Sequence, residues 1–166
     1  SPSSGSDEAM ADHPLRIVID GPSGSGKTTL ANKLGALLGV RVLSVEDWVP
    51  GWDGLAEGTA VAEELLRGVR DSYTRWDWVR EGYAEEVVLD PAEPWIIEGC
   101  GALTPTTAAN ATLSIWVEAD PQEARARGLA RDGELYAPFW EQWNRAEREH
   151  WVRNSPRTLA DLVIKT

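Results

Sequence analysis

The stretch Gly21–Thr28 has the residue types and the spacing that bind a chain of phosphates. It reads Gly-Pro-Ser-Gly-Ser-Gly-Lys-Thr and fits the P-loop pattern G-x-x-x-x-G-K-[ST]. Its glycines let the backbone turn tightly and point successive N–H groups inward, as an anion-binding nest at a helix N-terminus. The residues predicted to contact the phosphates are Gly21, Ser23, Gly24, Ser25, Gly26, Lys27, Thr28 and Thr29.

The flanking sequence supports this interpretation. A branched apolar run, 17–19, precedes the loop, and leucine and alanine residues follow it at helical spacing. This pattern predicts a strand, the loop and a helix in that order. In that setting Lys27 can reach the terminal phosphates, and the Thr28 hydroxyl can hold a magnesium ion. The sequence therefore predicts a site for a nucleoside triphosphate with Mg²⁺.

Carboxylates follow two further predicted strands. The run 40–45 is followed at once by Glu46 and Asp47, and the run 95–98 ends in Glu98. Ligands bind at the carboxyl ends of strands in open parallel sheets, so these side chains are candidates for the site. A carboxylate there can take the proton of an acceptor hydroxyl. The spacing leaves open whether Glu46 or Asp47 would do so.

Length and charge limit the class of protein. A chain of 166 residues suits one domain, and 27 acidic against 16 basic residues give a net charge of −11. This charge argues against a general surface for nucleic acid or an anionic membrane. The single cysteine, Cys100, allows no intramolecular disulfide, and no signal peptide or apolar run of about 18 residues is visible. We therefore expect a cytoplasmic protein.

Five apolar strand patterns alternate with helical ones. They predict an α/β fold, with a parallel sheet covered by helices on both faces. Residues 1–14 have no apolar period, which predicts a flexible tail. Asp120 and Pro121 are typical of a helix start. The predicted strands cover residues 15–20, 40–45, 95–98, 113–117 and 159–164.

Nine tryptophans are many for so short a chain. The segment 73–80 alternates aromatic and charged side chains, and two interpretations stay open. It is either an amphipathic helix whose tryptophans cover the core, or a wall for a flat polar ligand. In the second case Trp52, Trp76 or Trp78 would stack on a ring, Asp77 would bind sugar hydroxyls, and Arg75 or Arg80 would bind a phosphate if the acceptor has one.

At the level of motifs the sequence resembles the uridine and nucleoside kinase family of P-loop phosphotransferases. The resemblance spans residues 16–164 and rests on 21–29, on Ser44-Val45-Glu46-Asp47-Trp48, on Ile96-Ile97-Glu98-Gly99, and on Arg127 with Arg131-Asp132. It implies a five-stranded parallel sheet in the order 2-3-1-4-5, flanked by helices, with a small lid. It also implies a single kinase domain over 15–166, with an acceptor-binding region at about 48–93 and the lid at about 120–138.

The same resemblance implies roles for particular residues. Glu46 or Asp47 would deprotonate the acceptor, and the alternative role of Asp47 is to bind the acceptor or the water shell of the metal. Glu98 would help Thr28 to hold magnesium, and Arg127 and Arg131 would be lid arginines. The acidic motif departs from the family pattern, because it reads Glu46-Asp47-Trp48 in place of Asp-Asp or Asp-Ser followed by Phe.

These observations predict an enzyme that uses ATP and Mg²⁺ to phosphorylate a small molecule. A nucleoside or a nucleoside monophosphate is the expected acceptor, and a non-nucleoside metabolite is the alternative within the same mechanism. A second class is an NTP hydrolase or a nucleotide-dependent switch without an acceptor. A nucleotide-binding protein without catalysis is a third, although Lys27, Thr28 and the three carboxylates are all present.

Overall fold

The computed structural model describes residues 13–133 and 137–166. Most of the expected tail, residues 1–12, and residues 134–136 of the expected lid lie outside this part of the chain. None of the helices described is long and apolar enough to cross a membrane. The strands are β1 Arg16–Asp20, β2 Arg41–Ser44, β3 Ser72–Asp77, β4 Gly82–Val88, β5 Trp95–Glu98, β6 Leu113–Glu118 and β7 Leu162–Lys165. The helices are α1 Lys27–Leu38, α2 Leu55–Arg67, α3 Pro105–Asn110, α4 Pro121–Asp132, α5 Ala137–Asn154 and α6 Pro156–Leu159.

Five strands form one parallel sheet in the order β2-β5-β1-β6-β7. Counted among the strands of this sheet alone, the order is 2-3-1-4-5, as the sequence resemblance implies. Strand β1 is central, because it pairs with β5 through Val18 and Ile97 and with β6 through Val18 and Ser114. All five of its residues are buried, as expected for a strand covered on both faces.

Alternate residues of the central strands enter two different cores. Val18 and Ile97 belong to a large cluster that also contains Leu43, Leu65 and Leu103. Their neighbours point the other way, into a smaller cluster made of Ile17, Ile19, Ala31, Ile96, Ile115 and Val117. The period of two in these apolar runs therefore builds one core on each face of the sheet.

The predicted helix boundaries next to the sheet are confirmed. Helix α1 ends at Gly39, which has the left-handed conformation that favours glycine (φ 66°). Helix α4 begins after Asp120, whose carboxylate accepts the backbone N–H groups of Gln122 and Glu123.

One of the two open interpretations and one predicted strand boundary are wrong. The segment 73–80 is not an amphipathic helix: β3 and β4 form a separate antiparallel hairpin, and in β4 the half-buried Gly82 and Ala84 alternate with the exposed Tyr83 and Glu85. This alternation is the period of a strand. With the hairpin, the described part of the chain has seven strands. Leu159 is not in the last strand, because Pro156 starts the short helix α6 and β7 begins only at Leu162.

The central strand provides a test of this packing. Val18→Ala removes two methyl groups from a fully buried site, which costs at least about 1.6 kcal/mol plus a cavity term. We expect a lower free energy of unfolding in urea titrations. The same change at Val88, which is 69% exposed in the hairpin, is the matched control and stays within about 0.5 kcal/mol. Equal losses at both positions would contradict the assignment of β1 to the core.

Candidate nucleotide and acceptor sites

The glycine-rich loop lies between the end of β1 and the start of α1. Gly24 and Gly26 have positive φ angles (80° and 96°), so the loop adopts a path that other residues rarely follow. The Ser25 N–H donates to the Pro22 carbonyl at 3.0 Å. Helix α4 packs on this loop so closely that a Cβ at Gly24 would lie 1.9 Å from the carbonyl oxygen of Ala124. The predicted phosphate loop and the predicted lid helix are therefore in direct contact.

Lys27 is buried beneath the loop, and its ammonium donates to the Pro22 carbonyl at 3.2 Å. Burial by itself lowers the pKa of Lys27, but neighbouring groups, Cys100 first and then the carboxylates Glu147 and Glu98, raise it above its ordinary value. The side chain therefore stays charged at neutral pH. Its carbonyl partner is a weak one, which leaves the ammonium available to a phosphate oxygen.

Thr28 and Glu98 supply two oxygens that suit a magnesium ion. The Thr28 hydroxyl donates to a Glu98 carboxylate oxygen at 3.1 Å, and Glu98 is almost fully buried at the end of β5. Burial raises the pKa of Glu98, and Lys27 opposes that shift only in part. In the part of the chain that the structure describes, no three acidic, histidine or cysteine side chains gather as a metal site. Two protein oxygens nevertheless fit Mg²⁺, which usually takes its remaining ligands from water and substrate phosphates.

A cavity of about 680 Å³ extends from these residues. It contains Lys27, Thr28, Thr29 and Glu98, together with Glu46 and Asp47 from the turn after β2. Its other walls are Gly24, Gly26, Asn32, Val42, Ser44, Arg127, Gly128 and Arg131. We call this space the nucleotide cavity. It brings together three of the predicted carboxylates, Glu46, Asp47 and Glu98, and the two expected lid arginines, Arg127 and Arg131.

One pair of charged side chains meets across the cavity. Glu46, in the 3₁₀ turn Val45–Asp47, has a carboxylate oxygen 3.8 Å from an Arg131 guanidinium nitrogen of α4. Arg127 stays on its own helix, where it lies 3.9 Å from Glu123. Partial desolvation and then the nearby Glu46 carboxylate raise the pKa of Asp47.

A second, smaller space adjoins the first. This aromatic pocket of about 220 Å³ shares Glu46 and Arg131 with the nucleotide cavity, and its other walls are Ser23, Trp52, Trp78, Trp140 and Trp143. Trp52 and Trp78 meet the Trp143 ring edge to face, with centroid distances of 5.9 and 6.5 Å. The indole N–H of Trp78 also donates to the Glu46 carbonyl at 3.0 Å.

The hairpin residues Trp76, Asp77 and Arg80 are not among the walls of either space. Trp76 packs edge to face on Tyr83. Asp77 accepts the backbone N–H groups of Val79 and Arg80 and so holds the hairpin turn. Their assignment to acceptor binding stays a prediction that this placement does not support.

Sequence reasoning missed several residues of the site. Trp140 and Trp143 were not selected as site residues, although their spacing of three places both on one helix face. Glu147 was not selected, yet it bonds Ser23 of the loop. Cys100 is buried, and burial raises the pKa of its thiol. His150 is a core residue that bonds Asp20.

A glycine-rich loop between the first strand and first helix of a 2-3-1-4-5 parallel sheet defines a P-loop nucleotide-binding fold. The chain belongs to the AAA domain family AAA_18, whose sequence model matches residues 17–152.

Individual relatives are distant in sequence. A cytidylate kinase from Archaeoglobus fulgidus is 24% identical over 160 residues, which cover 92% of this chain and 86% of that protein. A structure titled as a possible uridine kinase from Bacillus stearothermophilus has a TM-score of 0.59 at 19% identity, over 99% of this chain and 100% of that one. A shikimate kinase from Bacteroides thetaiotaomicron has a TM-score of 0.53 at 14% identity, over 91% and 86%. These likenesses confirm the predicted fold class, which is that of P-loop kinases.

Lys27→Ala tests the nucleotide cavity. We expect binding of MgADP, measured by titration calorimetry, to weaken by about tenfold or more, because a hydrogen bond to a charged group contributes ~1.5–3 kcal/mol. The circular dichroism spectrum should not change. Lys33→Ala, on the exposed side of the same helix, is the matched control. A folded Lys27 variant with unaltered affinity would show that the phosphates bind elsewhere.

Proposed function

We propose that the protein is an ATP- and Mg²⁺-dependent phosphotransferase that moves the γ-phosphate to a hydroxyl of a small molecule. One observation carries the proposal: Glu46 and Arg131 line both the nucleotide cavity and the aromatic pocket. A carboxylate and a guanidinium therefore stand where a donor phosphate and an acceptor hydroxyl would meet. A nucleotide-binding protein without an acceptor has no need of the second space.

The reaction follows from the chemistry of these groups. The acceptor oxygen forms a bond to the γ-phosphorus while the bond between that phosphorus and the ADP oxygen breaks. The hydroxyl proton passes to Glu46 or Asp47. Lys27 and the lid arginines Arg127 and Arg131 stabilise the negative charge on the transferred group. Mg²⁺, held by Thr28 and Glu98, would neutralise charge on the phosphates when it is bound.

The division of the chain is part of the proposal. Residues 15–166 form one kinase domain, in which about 48–93 contribute to acceptor binding and about 120–138 form the lid. Support for the lid comes from α4, which contacts the phosphate loop at Gly24 and carries both arginines of the cavity. A closing lid excludes water and so limits hydrolysis of ATP. A cytoplasmic location is also proposed, because a single cysteine fits a reducing compartment.

The aromatic pocket favours an acceptor that has a ring and no phosphate. Among its described walls, Arg131 is the only cationic side chain, and it already faces Glu46. A phosphate monoester binds best to several cations. Arg75 of the hairpin does not meet that need, because it bonds Glu85 at 2.7 Å. We therefore propose a nucleoside, with its base against the indoles, ahead of a nucleoside monophosphate or a non-nucleoside metabolite.

A panel of acceptors tests this function. We expect ADP formation from MgATP to rise at least about tenfold above background with one nucleoside, since a held hydroxyl is a better-positioned nucleophile than water. The panel includes the matching monophosphates and small polyols. Preference for a monophosphate or a polyol would refute the nucleoside assignment. High turnover that no acceptor changes would support an NTP hydrolase instead.

Single replacements identify the base. Of Glu46→Gln and Asp47→Asn, we expect one to lower kcat by about 10²–10⁴-fold, the usual contribution of a general base. Glu57→Gln, an exposed carboxylate of α2, is the control. If Asp47 acts, its raised pKa predicts that activity falls with decreasing pH at a higher pH than for an ordinary aspartate, because the base must be deprotonated. Small effects of both changes would contradict the assignment.

A further inference from the structure

A buried carboxylate on α5 reaches across to the phosphate loop. Glu147 is only 2% exposed, and its Oε1 atom accepts the backbone N–H of Ser23 at 3.3 Å. The Ser23 hydroxyl donates to the same oxygen, and so does the Cys100 thiol, at 3.3 Å. A carboxylate is costly to bury, and these donors with the nearby Lys27 charge offset that cost. Glu147 takes part in no step of the proposed phosphoryl transfer.

The same serine is bonded from the other side. The indole N–H of Trp143 donates to the Ser23 hydroxyl at 2.9 Å. Trp143 and Ser23 are both walls of the aromatic pocket and not of the nucleotide cavity, and Ser23 is followed directly by Gly24, which is a wall of that cavity. A continuous chain of hydrogen bonds therefore runs from the wall of the acceptor pocket, through Ser23, to Glu147.

We propose that Glu147 is a positioning residue that holds Ser23, and with it the phosphate loop, in the conformation that binds nucleotide. Through Trp143 the same bonds couple the acceptor pocket to the nucleotide cavity. The inference rests on the proposed nucleotide site. A loop whose first turn is fixed before binding loses less conformational freedom when its N–H groups close on the phosphates. The hydrogen bonds that Glu147 accepts from Ser23, and not its negative charge, hold the loop in this conformation.

Two replacements at Glu147 separate the effect of its hydrogen bonds from the effect of its charge. Glu147→Gln keeps an oxygen that can accept from Ser23, whereas Glu147→Ala keeps none. We expect the affinity for MgADP to fall about tenfold in the alanine variant, the effect of losing two ordinary hydrogen bonds, and less than about threefold in the glutamine variant. Glu149→Gln and Glu149→Ala, exposed on the same helix, are the matched controls.

The alternatives give other results. If Glu147 acted by its charge alone, both variants would bind MgADP more tightly, because a negative charge near Lys27 is removed. If it only stabilised the fold, the alanine variant would have a lower melting temperature but an unaltered affinity for the folded protein. Either result overturns the proposal. Failure of the unchanged protein to bind MgADP would instead refute the proposed nucleotide site.

The coupling has a separate test, which leaves Glu147 unchanged. Trp143→Phe removes the N–H that Ser23 accepts and keeps an aromatic ring. Trp151→Phe is the matched control, since it lies on the same helix, its indole N–H has no hydrogen-bond partner among the described residues, and it lines neither space. We expect Trp143→Phe to weaken MgADP binding about three- to tenfold, the range for one hydrogen bond, and Trp151→Phe not to. Equal effects of the two changes would overturn the coupling.

Discussion

A buried carboxylate at the end of β1 holds the parts of the site together. Asp20 is fully buried and accepts the backbone N–H groups of Gly21, Gly101 and Leu103 at 2.7, 3.3 and 3.0 Å. Its second oxygen also bonds His150 Nε2 of α5 at 2.8 Å. Without this carboxylate each of these groups would be buried and unsatisfied. The start of the phosphate loop, the segment after β5 and helix α5 are therefore fixed relative to one side chain.

Helix α4 completes the site with little apolar surface. Its smallest residues make the closest contacts: Ala124 lies against Gly24 of the loop, and a Cβ at Gly128 would lie 2.2 Å from the Trp140 ring. Close approach, rather than a large apolar area, therefore holds this helix in place. Separating such a contact exposes little apolar surface, so the free-energy cost of moving α4 is small. The proposed lid requires this property.

The sequence predicts the parts of the fold that short, local patterns of residues determine. The glycine spacing before Lys27 is sufficient to predict the loop, and the buried β-branched runs are sufficient to predict the sheet. The hairpin cannot be predicted in this way, because a pattern of partly buried aromatic residues among charged ones fits a helix face as well as a strand. Trp143 and Glu147 cannot be assigned from the sequence, since their importance comes from bonds to Ser23, 120 and 124 residues earlier. Only the folded chain brings these side chains to the loop.

The nucleotide cavity places three carboxylates, Glu46, Asp47 and Glu98, beside its cations, in a chain of net charge −11. A triphosphate in solution is therefore repelled at long range and attracted only close to Lys27 and the loop. Salt screens interactions beyond about 8 Å at physiological ionic strength, so it weakens the repulsion more than the attraction at contact. Capture of nucleotide should then become faster as ionic strength rises, the opposite of electrostatic steering into a basic cleft.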